Sequence, residues 1–139
     1  QRHQLGDGLR ALAQQRGGAA GRAPRIDMND TLLLITRNGM GAADEALQLK
    51  LLDTYLKLLL QNELTPGVIA CYTEGVRVAV EGSPLLEPLM ALVARGTHVI
   101  LCRTCLERFG LLEQVRVGIV GGMGDIQAAQ VTARKVITL

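Results

Sequence analysis

The sequence predicts a single α/β domain, a three-layer α/β/α arrangement around a mostly parallel five-stranded sheet. Three observations predict it. Short apolar runs recur at Thr31–Thr36, Val68–Tyr72, His98–Cys102, Val115–Val120 and Lys135–Leu139, and several are unbroken, as strands covered on both faces require. Helical patterns separate these runs, and strands that alternate with helices pair in parallel. With 139 residues, 48% of them hydrophobic, the chain is long enough for one core and too apolar to stay disordered.

Residues 1–27 stand apart from this pattern. Arg2, Arg10, Arg16, Arg22 and Arg25 face only Asp7 and Asp27, and Gly17, Gly18 and Gly21 interrupt any long helix. They read as a linker or leader, with an Arg-rich transit segment as the alternative, and the domain as 28–139. After the first strand, Asn38-Gly39-Met40-Gly41 makes a tight turn. Asp44 and Glu45 then open a helix that runs to about Asn62. Leu49, Leu52, Leu56 and Leu59 form its buried stripe, while Leu47, Leu51, Leu58 and Leu60 lie off it. That surplus of leucine suits contact with another subunit.

Pro66-Gly67 leads into the second strand, and Glu74–Val80 has room for one or two helical turns. Ser83 and Pro84 signal a helix start, but Pro88 conflicts with a regular helix from there. The helix therefore either kinks or begins near Glu87, and it ends at Arg95-Gly96. The third strand gives way to a short helix at Thr104–Phe109, closed by Gly110. A last helix, Gly124–Ala133, precedes the final strand.

Composition excludes several functions. A net charge of +2 and 2% aromatic residues, with no Trp, supply neither an electrostatic footprint nor stacking platforms for nucleic acid. No apolar run approaches the roughly 20 residues of a membrane span; the longest are broken by Lys50, Asp53 and Lys57. Three cysteines in a chain with a good core argue for a reducing, cytoplasmic compartment rather than a disulfide scaffold. Charged residues are only 20%, which points to homo-oligomers.

Chemistry concentrates in Cys102-Arg103-Thr104-Cys105, where a strand becomes a helix. Ligands and catalysis gather at the carboxyl ends of parallel strands. A helix start and a neighbouring Arg103 both favour a thiolate. Zinc needs four ligands, and His98, Cys71 and His3 offer no paired spacing, so no metal or other cofactor is expected. Cys71, inside the second strand, reads as a core residue, His98 as structural, and Glu74 and Ser83 as capping or solvated groups. Asn38–Gly41 either binds an anion beside the cysteines or is simply a turn that needs glycine. Gly121-Gly122-Met123-Gly124-Asp125 reads as a loop and helix start.

The segment Leu101–Leu111 (LCRTCLERFGL), preceded by Glu74–Leu89 (EGVRVAVEGSPLLEPL), resembles the DsrE/DsrF-like family. Within it, the similarity is to the carboxyl-terminal domain of YedF-type "sulfurtransferase-like selenium metabolism" proteins, over roughly residues 30–139. The resemblance implies a flavodoxin-like sheet, oligomers, and a part in sulfur relay with a TusA-like protein as donor or acceptor. In related sulfur carriers the active cysteine lies eight residues before a glycine, as Cys102 does before Gly110. The persulfide role therefore carries over to Cys102, with Cys105 resolving or tuning it. Asn38, Gly39, Met40, Gly41, Arg103 and Thr104 would then line the substrate site. Phe109 stands where the family often has Arg. The TusA-like amino-terminal domain of YedF-type proteins has no counterpart in residues 1–27, so the resemblance implies a stand-alone relative or a fragment. Two rival readings are an oligomeric module that binds a small anion or metabolite, and a Cys102–Cys105 dithiol redox protein.

Overall fold

The computed structural model of the chain describes residues 26–139, so the leader or linker expected at 1–27 lies outside the described residues except for Ile26 and Asp27. Five strands form one sheet: β1 (Thr31–Ile35), β2 (Val68–Cys71), β3 (His98–Cys102), β4 (Ile119–Gly121) and β5 (Lys135–Thr138). Their order is β4-β3-β2-β1-β5, and every pairing is parallel. The α/β fold expected from the sequence is the fold observed. The register sets Ile35 opposite Cys71, Cys71 opposite Leu101, and Cys102 opposite Gly121.

Four α-helices connect the strands: α1 (Glu45–Gln61), α2 (Leu86–Ala94), α3 (Arg103–Arg108) and α4 (Met123–Thr132). Two 3-10 helices, Thr73–Ala79 and Leu112–Gln114, complete the connections. The chain steps in one direction from β1 to β4, so right-handed crossovers keep α1 and α2 on one face, where they pack together. The return from β4 to β5 runs the other way and carries α4 across the opposite face, against β3 and β4. Between these layers Leu32, Leu33, Ile35, Ile69 and Leu101 are completely buried.

Local chemistry explains the element ends. Asp44 caps α1, its Oδ1 accepting the Leu47 N–H at 3.0 Å. Leu52, Leu56 and Leu59 of the stripe are buried and Leu49 is half-buried, while Leu47, Leu51 and Leu58 are exposed. The conflict around Pro88 is resolved by the start of α2 at Leu86. Pro88 then falls in the first turn, where its missing N–H is not needed. Ser83 serves the turn just before, its Oγ accepting the Leu85 N–H at 3.0 Å.

One strand needs correction. The run Val115–Val120 was expected as the fourth strand, but β4 spans only Ile119–Gly121. Gly118 cuts the run: its φ is +89°, and a Cβ there would sit 2.8 Å from Val99 Cγ1. Val115 instead makes an isolated antiparallel bridge to Val80. Among the described residues, no helix is long and apolar enough to cross a membrane.

Candidate functional site: a thiol pair at the carboxyl end of β3

Cys102 ends β3 and caps α3 with extended backbone (φ −68°, ψ 118°). The first turn of α3 then carries Cys105 back beside it, close enough for Cys102 to influence the ionisation of the Cys105 thiol. Their exposure differs. Cys102 is 2% exposed, whereas Cys105 is half-buried.

A third group joins them from the neighbouring strand. Thr73, two residues past β2, donates its backbone N–H to Cys105 Sγ at 3.0 Å. Thr73 has φ +50°, a left-handed conformation that is rare for a β-branched residue. Its hydroxyl lies 2.7 Å from the carbonyl oxygens of both Thr36 and Tyr72 and shares its one proton between them, which ties the residue to the end of β1. Two residues on, the 3-10 helix crosses β1 so closely that a Cβ on Gly75 would stand 1.9 Å from the Ile35 carbonyl oxygen. Only glycine fits there. The ends of β1, β2 and β3 thus meet through Thr36, Thr73 and Cys105.

The same 3-10 helix touches α3 a second time. Cys105 and Phe109 are four residues apart and share one side of the helix. The Arg77 guanidinium, also paired with Glu74, lies 4.4 Å above the Phe109 ring. Thr73 with Cys105 and Arg77 with Phe109 are therefore two successive contacts of one interface.

Burial is the main influence on the Cys105 thiol and pushes its pKa up. The Thr73 N–H opposes this and lowers it, while the adjoining Cys102 raises it further. Cys71 lies in the core at 0% exposure, and burial raises its thiol to about 12. It is a packing residue, as its place inside an apolar strand suggests.

The other expected site residues are placed differently. Arg103 forms its ion pair with Glu107, at 3.7 Å on the exposed side of α3. Thr104 is exposed. Asn38, Gly39, Met40 and Gly41 belong to a turn fastened to α1. Asn38 Nδ2 donates to Glu45 Oε2 at 3.0 Å, Gln48 Nε2 donates to the Asn38 carbonyl at 3.3 Å, and the Met40 N–H donates to the Gln48 carbonyl at 2.9 Å. Gly39, with φ +129°, lets this turn approach: a Cβ there would be 2.4 Å from the Gln48 backbone. None of these bonds reaches the thiols. Gly121 pairs with Cys102, but the segment after it is a helix start, the Gly122 N–H donating to Asp125 Oδ2 at 2.8 Å. Among the described residues, no three His, Cys, Asp or Glu are grouped to hold a metal ion.

Sequence reasoning did not find Thr73, Gly75 or Arg77 as parts of the site. The available signal was modest: a Thr-Glu-Gly run just past a strand's carboxyl end, with a glycine inside a stretch of helical turns.

No family model matches the sequence, and no curated protein matches it. Solved structures do. The protein of unknown function MTH1491 from Methanobacterium thermoautotrophicum aligns with a TM-score of 0.59 at 18% identity, over 78% of this chain and 97% of that one. The ychN protein from E. coli gives 0.57 at 19% identity, over 78% and 97%. BT1422 from Bacteroides thetaiotaomicron, a conserved protein of unknown function, gives 0.54 at 14% identity, over 84% and 100%. The likeness is one of fold. It spans nearly the whole of each neighbour, so the described sheet and helices form a unit that recurs in other proteins.

Proposed function

We propose that the protein is a sulfur-relay carrier of the DsrE/DsrF-like kind, holding sulfane sulfur as a persulfide on its Cys102–Cys105 pair. One observation carries this reading: two thiols adjoin at the carboxyl end of an interior strand, one of them partly exposed with a main-chain N–H directed at its sulfur. Sulfane sulfur moves by thiolate attack on an S–S bond and travels as an anionic persulfide, which such a donor stabilises. The resemblance of Leu101–Leu111 to the family, with Cys102 in the persulfide position, supports the same reading. Selenium is held by the same chemistry.

A carrier hands its cargo to a partner, and a TusA-like protein in the cytoplasm is the donor or acceptor this reading implies. The exposed leucines of α1, Leu47, Leu51 and Leu58, suit the homo-oligomer it also implies. The test is an intact mass after incubation with an organic persulfide. The wild-type chain should gain about 32 Da, the mass of one sulfur, and lose it to excess dithiol. The Cys102→Ser/Cys105→Ser double variant should gain nothing. A folded wild-type protein that takes up no sulfur ends the proposal.

The nearness of the two thiols, three residues apart across the start of α3, favours one second reading, a dithiol that cycles through a Cys102–Cys105 disulfide. Mild oxidation would then remove two hydrogens from the pair, with no sulfur gained from the persulfide.

A further inference from the structure

Within the sulfur-relay reading, and resting on it, we infer that Cys105 is the thiol that takes sulfur from the donor and that the Thr73 main-chain N–H holds the negative charge of its attacking thiolate. This exchanges the roles that the resemblance gives the two cysteines.

Access decides between them. In-line attack needs the donor's sulfane sulfur within about 3.5 Å of the attacking atom. At 2% exposure Cys102 has no room for that approach, while Cys105, three residues along the same helix, faces the solvent in part. One main-chain donor points the same way, working against the burial that raises this thiol. The N–H that is aimed at sulfur belongs to Thr73, and its acceptor is Cys105 Sγ. That donor is held in place three times over. The left-handed backbone of Thr73 turns the N–H toward α3, its hydroxyl is bonded to the Thr36 and Tyr72 carbonyls, and Gly75 seats the following turn on β1. Strained geometry of this kind persists only where the surroundings enforce it. A fixed donor costs no reorganisation when charge arrives. Cys102, covered and adjoining Cys105, is a positioning residue that acts through the second thiol by favouring its protonated form.

The step balances without an outside oxidant or reductant. The Cys105 thiolate attacks the outer sulfur of the donor R–S–S–H, the donor's S–S bond breaks, and a new S–S bond forms on Cys105. R–S⁻ leaves and takes up the proton that Cys105 released, giving R–SH and Cys105–S–S–H.

Trypsin cleaves after Arg103, so the two cysteines fall on separate peptides. The chain is loaded with glutathione persulfide, alkylated, digested and mapped. The added sulfur should appear on the Cys105 peptide in the wild type and in Cys102→Ser. Loading of Cys105→Ser should fall at least about tenfold. Sulfur on Cys102 in the wild type, or undiminished loading of Cys105→Ser, overturns the role exchange while leaving the relay reading intact. Sulfur on neither peptide of the folded wild type overturns both.

The pH profile of Cys105 alkylation tests the donor and the positioning residue together. Thr73→Ala frees the N–H from its hydroxyl anchors and should shift the profile to higher pH, and Thr73→Ser should restore it. Cys102→Ala should shift it to lower pH, because Cys102 favours the protonated Cys105. An unchanged profile in Thr73→Ala, with the fold confirmed by circular dichroism, overturns the role of Thr73. An unchanged profile in Cys102→Ala overturns that of Cys102.

Discussion

The carboxyl ends of β2 and β3 lie side by side, and each carries a cysteine, but they treat sulfur in opposite ways. Cys71 stands opposite Leu101 in the register and is sealed in the core, its thiol raised to about 12. Cys102, one residue beyond Leu101, is still covered, but there the chain turns into α3, whose first turn brings Cys105 partly into solvent. The segments that leave the strands make the difference. After β2 the 3-10 helix folds back over β1 and buries Gly75, Val76, Val78 and Ala79. After β3, α3 buries only Leu106 of its six residues and leaves its first turn at the edge. A strand's carboxyl end is a place where chemistry can sit. The connection that follows decides whether it does.

The strongest way to break this contrast is Gly75→Ala. The added carbon would fall 1.9 Å from the Ile35 carbonyl oxygen, so the 3-10 helix must lift from the sheet and take Thr73 with it. We expect a loss of about 3 kcal/mol, read as a lower urea midpoint, together with an upward shift in the pH profile of Cys105 alkylation. Unchanged stability would mean that the close crossing is not maintained in solution.

Alkaline pH sharpens the contrast from the side of Cys71. An unfolded chain loses this thiol's proton near the ordinary 9.0, while the folded protein keeps it to about 12. Between those values the unfolded state binds fewer protons. Stability should therefore fall as pH rises, by about 1.4 kcal/mol per unit from this group. Urea titrations at several pH values between 9 and 12 should show that slope in the wild type and lose it in Cys71→Ala. Parallel curves for the two proteins would place Cys71 in contact with water.

The smallest effect expected is that of Arg77→Ala. It removes the guanidinium from the Phe109 ring and should cost about 0.5–1 kcal/mol. Sulfur loading should persist, since the Thr73 N–H stays in place. A loss of loading without a loss of stability would assign Arg77 to the binding of the donor.

Much of the fold was legible because burial leaves a plain trace in sequence. The Leu-Leu-Leu-Ile of β1 is unbroken and apolar because the strand is covered on both faces, and Asp44 caps its helix by local chemistry alone. The fourth strand was misplaced because Val115–Val120 has strand composition, and only contact with Val99 reveals what Gly118 does there. The thiol pair could be located from its spacing and its place at a strand end. Its third member could not. Thr73 is 32 residues from Cys105, and its role rests on a left-handed backbone that threonine rarely adopts, so neither distance in sequence nor residue type gives it away. Arg103 misled for the opposite reason: it is next to Cys102 in the chain, but α3 turns it outward to Glu107.

The order β4-β3-β2-β1-β5 places the first strand of the sheet beside the last. During synthesis β1 can join β2, then β3 and β4, one at a time as they leave the ribosome. Its other side stays unpaired until Lys135–Thr138 has been made. Pairing so distant in sequence closes a long loop late and slows folding. From the synthesis of β1 to that of β5 the nascent chain therefore carries a buried-type apolar strand open along one edge, the stage at which a ribosome-bound chaperone has the most to shield.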